Sequence, residues 1–279
     1  MTRLNIKINT ISYKLEKKLA KAVIIKGNYR KLSDKQLDKI NKYIDKKKLN
    51  IGLEDVLSIR SSYMTIKIIK DSDRLKSLIN KISKLYKKGI KLSWISKKYD
   101  LSPILILKNI FSNNFSKEKI KDFFYGKQLN KLNKFDLEQL NFVKENDIFN
   151  KVDQTEQIKN SENFELEIRN FLIKNKIKFK TQNELAKEQI KKYGKTINTP
   201  DFLILSDFYI NDKKINWIDA KNFYGANTFL IKKNIQKQIQ KYIDEYGFGS
   251  IIFSLNFSEK LYFDNVILIN FNLLKDCNK

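Results

Sequence analysis

Thr199-Pro200-Asp201-Phe202-Leu203-Ile204-Leu205 and, past a polar turn at Asn211-Asp212-Lys213, Ile215-Asn216-Trp217-Ile218-Asp219-Ala220-Lys221 decide how this chain reads. The two apolar runs predict two strands joined by a turn. Asp201 stands near the start of the first strand, and Asp219 and Lys221 lie on the second. Side chains alternate across a strand, so Asp219 and Lys221 project to one face and Ile218 and Ala220 to the other. If the strands pair as a hairpin, Asp201 approaches the same cleft. Two carboxylates held close attract a hard divalent cation. Such a cation stabilises charge building on a scissile phosphate and lowers the pKa of a water molecule. Lys221 would orient that water or help neutralise the phosphate. Glu165, on the preceding helix, is the candidate to complete the metal shell, with Glu167 as its local competitor.

An acid-x-Lys pattern alone carries little weight in a Lys-rich chain. Glu16-x-Lys18, Asp45-x-Lys47 and Asp212-x-Lys214 repeat it, but in predicted helices or the turn, where both charges are solvated. Asp219-Ala220-Lys221 alone follows an apolar strand. Burying two charges there unpaired is costly, so they demand a reason. The alternative to a metal site is a salt-bridged pair at a strand end.

Composition narrows the chemistry. The chain has 279 residues, 42% of them apolar, enough for a folded protein of one large or two medium domains. Its net charge of +25 points to a polyanionic partner, most simply nucleic acid. A Lys-, Ile- and Asn-rich composition also arises from an AT-rich genome without functional selection. There is no histidine, which excludes His bases, Ser-His triads and His-built zinc motifs. The single Cys277 cannot form an intrachain disulfide. No apolar run reaches membrane-spanning length and the first residues are charged, so neither a membrane span nor a secretory signal is expected. An intracellular protein, cytoplasmic or nuclear, is the expectation.

The first half reads as helical. Ile11 to Ile25 is basic and amphipathic. Ser33-Asp34-Lys35-Gln36 carries the S-x-x-Q capping pattern and opens a helix closed by Lys46-Lys47-Lys48. Two short helices, 53–60 and 64–70, are predicted to split at Ser61-Ser62, and a longer one runs from Asp71 to Lys88 before Gly89. Leu92 to Tyr99, the turn Asp100-Leu101-Ser102, and a helix opened by Pro103 and running through Phe111 resemble a helix-turn-helix unit. A plain helical bundle is the alternative. Ser116 to Tyr125 and Asp136 to Asn146 are two more helices. Asn150 to Asn163 lacks apolar period, which places a boundary between a 1–150 helical domain and a 151–279 domain. The second domain reads as helix (164–174), strand (177–180), a basic polar segment (187–198), the central stretch, a helix (228–246) and strands at 250–255 and 266–271. That is an α/β sandwich around a mixed sheet.

Thr199-Pro200-Asp201 followed by Trp217-Ile218-Asp219-Ala220-Lys221 resembles the PD-(D/E)xK nuclease superfamily. More narrowly it is similar to the Thr-Pro-Asp branch that includes the codanin-interacting nuclease of animals and its archaeal relatives. Phe223-Tyr224-Gly225 stands where that branch has Phe-Gly, with the aromatic shifted or changed. Gln238 and Tyr242 fit its helix carrying Gln and then an aromatic one turn later. Phe164-Glu165-Leu166-Glu167-Ile168-Arg169 matches its acid-then-Arg pattern, with Glu165 at the acid.

The resemblance implies a restriction-endonuclease-like αβββαβ core with a mixed sheet, preceded by an all-helical domain containing helix-turn-helix units. It implies a Mg²⁺- or Mn²⁺-dependent endodeoxyribonuclease. Branched DNA is a candidate substrate, and a homodimer is expected by analogy with Holliday-junction resolvases. The implied catalytic set is Asp201, Asp219, Lys221, Glu165, Gln238 and Tyr242, and the metal set is Glu165, Asp201, Asp219 and Ala220. The competing expectation is a DNA-binding or protein-interaction scaffold whose nuclease fold no longer cuts. No sequence feature identifies a protein partner.

Overall fold

The computed structural model describes residues 1–148 and 155–276. Along the first half run β1 (Thr2–Leu4), α1 (Tyr13–Val23), α2 (Asp34–Lys46), α3 (Leu53–Lys87), α4 (Leu92–Tyr99), α5 (Pro103–Phe111), α6 (Lys117–Phe124) and α7 (Lys134–Asn146). The second half forms α8 (Thr155–Lys174), β2 (Phe179–Thr181), α9 (Gln182–Tyr193), β3 (Phe202–Ile204), β4 (Phe208–Ile210), β5 (Lys213–Lys214) and β6 (Trp217–Lys221). It ends with α10 (Phe229–Tyr246), β7 (Gly249–Phe253), β8 (Val266–Asn270) and α11 (Phe271–Asp276). The described residues are thus mixed α/β, with eleven α-helices and two mixed sheets.

The residues group into two compact units that interleave along the chain. One takes Met1–Ala20, Lys48–Ser62 and the described residues from Thr155 on; the other takes Lys21–Lys47 and the described residues from Tyr63. The sequence reading had one unit follow the other and made the first half wholly helical. Instead Thr2–Leu4 is a strand running parallel to Phe208–Ile210. A pairing across some two hundred positions leaves no local periodicity to detect. The expected boundary around 150/151 lies outside the described residues, as does Cys277.

In the first unit a five-stranded sheet has the order β2-β3-β6-β7-β8, antiparallel across β2, β3 and β6 and parallel across β6, β7 and β8. Alternation along these strands sorts the core into two layers. Ile218, Ile252 and Ile269 pack with Phe164, Ile168 and Leu172 of α8. Trp217, Ile251, Phe253 and Leu268 pack with Ile235, Ile239 and Tyr242 of α10. Gly249 is required by this second layer, because a Cβ there would fall into the Trp217 ring. Trp217 is fixed by Nε1–H donation to the Gly247 carbonyl at 2.9 Å. Gly225 is likewise closed in, by Phe257, Leu261 and Phe253.

The stretch from 202 to 221 holds four strands rather than two. β3 stays in the main sheet, and β4 leaves it to pair with β1 and β5. The expected turn is present between β4 and β5: Asn211 and Asp212 have φ of 47° and 60°, the left-handed pair that closes a two-residue hairpin.

The second unit is helical. Leu92, Ile95, Leu101, Ile106, Leu107, Phe111, Phe123 and Leu140 share its core. α4, a left-handed Asp100 (φ 51°) and α5 give the expected succession of helix, tight turn and helix. Ser33 caps α2, with its N–H donating to Gln36 Oε1 at 2.9 Å. The break predicted at Ser61-Ser62 does not occur, and α3 is continuous. Ser62 is accommodated by donating its hydroxyl to the Ser58 carbonyl one turn back, at 3.0 Å. α8 starts at Thr155, well before the expected 164, and α9 takes up the first part of the segment expected to be irregular, leaving 194–198 outside helix and strand.

Candidate active site

The Thr-Pro-Asp arm is positioned by side chains that neither charge nor motif reasoning singled out. α9 opens on a capping box, in which the Thr181 N–H donates to Glu184 Oε2 at 2.7 Å and the Glu184 N–H donates to Thr181 Oγ1. Buried Gln189 then clamps the incoming chain. Its Oε1 accepts from the N–H groups of Ile197 and Asn198 at 2.7 and 3.0 Å, and its Nε2 donates to the Asn198 carbonyl at 2.6 Å. Asn198 Nδ2 donates in turn to the Lys241 carbonyl and Glu245 Oε2 of α10, at 2.6 and 2.7 Å. Tyr242 Oη adds a donation to the Thr199 carbonyl at 3.3 Å.

So tethered, Asp201 enters the sheet beside β6. Phe202 pairs with Ile218 in the antiparallel register, and continuing that register sets Asp201 opposite Asp219. Asp201 Oδ2 accepts from the Ala220 N–H at 2.7 Å. Asp219 is fully buried, and its Oδ2 lies 2.5 Å from Lys221 Nζ. Among the described residues that oxygen receives no directed hydrogen bond. Asp219 Oδ1 accepts from Gln238 Nε2 at 2.9 Å, while Gln238 Oε1 accepts from Lys221 Nζ at 2.9 Å. One amide thus reads both charges and fixes its own orientation. Gln238 Nε2 also donates to Tyr242 Oη at 3.3 Å.

The electrostatics follow from that crowding. Burial, then the neighbouring Asp219, push the Asp201 carboxyl up to about 7. Burial also raises Asp219, against the opposing pull of Lys221. Glu165 is raised by burial and by Asp219, and Tyr242 is pushed up to about 12, chiefly by burial. Two carboxylates facing each other in a dry place cannot both ionise cheaply without a counter-charge.

Glu165 and Asp201 line an open cavity of about 360 Å³ with Glu162, Arg169, Gln182 and Glu184. Glu167, the competitor, points elsewhere and pairs with Lys275 Nζ at 2.6 Å. A second cavity of about 330 Å³ is lined by Gln182, Gln238, Tyr242, Lys237 and Lys241. Asp201, Asp219, Lys221, Gln238 and Tyr242 are therefore one connected network, and Glu165 faces it across the first cavity. Ala220 contributes its N–H to Asp201.

Among the described residues no group of three or more His, Cys, Asp or Glu side chains is gathered closely enough to hold a metal ion. The expected metal set of Glu165, Asp201, Asp219 and Ala220 is thus not gathered into one cluster. What is present fits a hard cation in kind. Mg²⁺ is commonly held by one or two carboxylates, with water and phosphate oxygens completing the octahedron. Asp219 Oδ2, buried and paired with the Lys221 ammonium at 2.5 Å, becomes such an oxygen if Lys221 turns to the substrate.

Fold and site together define a mixed α/β protein whose Thr-Pro-Asp arm brings half-buried Asp201 to the fully buried Asp219 of an Asp-x-Lys strand. The chain belongs to the family described as proteins of unknown function carrying the TPD sequence motif, whose sequence model matches residues 131–272. It is also similar to the uncharacterized protein L539 of Acanthamoeba polyphaga mimivirus, with 28% identity over 114 residues. That similarity spans 39% of this chain and 40% of the viral protein's length. No solved structure matches the chain. Among the described residues no helix is long and apolar enough to cross a membrane.

Proposed function

We propose that this chain is a divalent-metal-dependent endodeoxyribonuclease of the PD-(D/E)xK type, with branched DNA as its candidate substrate. The observation that carries the reading is Asp201 set against Asp219 across the β3–β6 pair, with Lys221 on the same face as Asp219. With α9 inserted between β2 and β3 and the β4–β5 hairpin between β3 and β6, the succession α8, β2, β3, β6, α10, β7 supports a restriction-endonuclease-like αβββαβ core, with β8 as an added strand. A net charge of +25 suits a polyanionic substrate.

Asp201 and Asp219 would hold Mg²⁺ or Mn²⁺, with Glu165 across the cavity. When bound, the cation would stabilise the charge that builds on a scissile phosphate. The chain's own groups do the positioning. Gln238 keeps Asp219 and Lys221 in fixed orientations, and Tyr242 ties the arm carrying Asp201 to α10. Lys221 supplies a cation beside the phosphate once Asp219 is engaged elsewhere.

That no three carboxylates are gathered together among the described residues favours a second reading, a DNA-binding scaffold that no longer cuts. Incubation with linear, flap and four-way-junction DNA separates the two. Cleavage in Mg²⁺ or Mn²⁺ that stops in EDTA is expected. Salt-dependent binding without turnover in either metal would establish the scaffold.

A further inference from the structure

The helical second unit exposes the wrong helix for conventional duplex reading. In a DNA-binding helix-turn-helix the second helix presents polar side chains to base edges. Here that helix, α5, is the core: Pro103, Ile104, Ile106, Leu107 and Phe111 are all buried. Its neighbour α4 carries the exposed face instead. Trp94 is 48% exposed on α4, whereas the chain's other tryptophan, Trp217, is fully buried. Lys98 Nζ lies 4.4 Å from the centre of the Trp94 ring, one helical turn on.

The same helix also forms one wall of a concave pocket of about 380 Å³. Ser93 and Lys97 of α4 line it, together with Arg30 and Lys31. Its described lining includes no acidic side chain. Lys31 and Lys97 form no salt bridge among the described residues, and Arg30 lies with Cζ 5.8 Å over the Phe142 ring. Ser93 and Trp94 are adjacent, and Lys97 and Lys98 follow one turn later. The exposed indole and one wall of the cationic, hydroxyl-bearing pocket are therefore carried by the same helix, on residues adjacent in sequence.

We propose that α4 binds an unpaired nucleic-acid strand, with a base stacked on Trp94 and a backbone phosphate in the Lys31–Lys97 pocket. Every base has a π-face, and an exposed indole takes it without reading sequence. A paired base offers no such face, which selects single strands over duplex. The pocket's positive charge matches phosphate and nothing apolar. The inference stands whether or not the chain cleaves.

The test uses the whole chain in EDTA, so that cleavage cannot intervene, and an oligo(dT) of about fifteen residues, near the upper site size of single-strand binders. Binding is expected to quench tryptophan emission. Trp94→Ala should remove that quenching and weaken oligo(dT) binding about 5- to 100-fold. Trp94→Phe, which keeps an aromatic face, should retain most of the affinity. A duplex of the same length should bind Trp94→Ala and wild type alike. Replacing Lys31 and Lys97 with alanine should make the slope of log affinity against log salt shallower by roughly 0.7 to 1.4. Oligo(dT) binding unchanged in Trp94→Ala overturns the proposal, and so does an equal loss for duplex and single strand.

Discussion

Asp219→Asn is expected to lower metal-dependent DNA cleavage by roughly a thousandfold or more, the scale on which a preorganised charge at a hydrolytic centre acts. The substitution is nearly isosteric. Asparagine Oδ1 can still accept from Gln238 Nε2, which Asp219 Oδ1 now does at 2.9 Å. Lys221 loses its ion-pair partner but keeps Gln238 Oε1, also at 2.9 Å. The side-chain volume is kept while the buried charge is removed, and Lys221, 13% exposed, relieves the donor–donor contact with the asparagine Nδ2 by turning toward solvent. Lys221→Ala is the less clean experiment. It strands Asp219 as an unpaired charge with no exposed surface, a change that commonly costs about 3–5 kcal/mol, so lost activity would be mixed with lost stability. Cleavage assays on the junction substrate, with circular dichroism confirming folding, check the expectation. Activity within tenfold of wild type in Asp219→Asn would remove Asp219 from the mechanism.

Asp201→Asn is expected to have two opposite effects, loss of cleavage and a gain in stability of the metal-free protein. Burial beside Asp219 pushes the Asp201 carboxyl from its ordinary 3.8 to about 7. The folded state thus holds this proton more tightly than the unfolded chain does. Its contribution favours folding at low pH, erodes as pH climbs past the ordinary carboxyl range, and is gone above about 7. Asparagine cannot ionise and still accepts from the Ala220 N–H, so the variant escapes that erosion. In EDTA at pH 8 it should be more stable than wild type by on the order of 1–3 kcal/mol, and the gap should close toward pH 4–5. Thermal unfolding of both proteins across that range reads the effect directly. A gap that does not change with pH would mean the two carboxylates do not oppose each other.

The site was legible in sequence because strand alternation and helix spacing are short-range rules. Asp219 and Lys221 share a face because they are two apart, and Gln238 and Tyr242 meet because they are four apart on α10. The α4–turn–α5 elements were legible through Pro103 at a first helical position and the short Asp100-Leu101-Ser102 turn. Three features were not legible, each for its own reason. β1 pairs with β4 across most of the chain, which no local window contains. α9 announced itself only through Thr181 and Glu184, while Ile190 and Tyr193 are about half exposed, at 52% and 51%, and blur its apolar stripe. α3 runs through two serines because a backbone carbonyl one turn back takes up the hydroxyl of Ser62. The clamp on the arm, Gln189 and Asn198, carries no charge and belongs to no spacing rule. Only the folded chain shows that these two amides carry Asp201 to Asp219.

The account rests on Asp201 and Asp219 acting together as the seat of a divalent cation. The most direct measurement is the thermal unfolding midpoint at pH 8 with and without millimolar MnCl₂, in wild type and in Asp219→Asn. A ligand that binds only the folded state raises its stability with the logarithm of its concentration relative to Kd. An upward shift in wild type that disappears in Asp219→Asn is the expected result. No shift in wild type, or the same shift in both proteins, would contradict it.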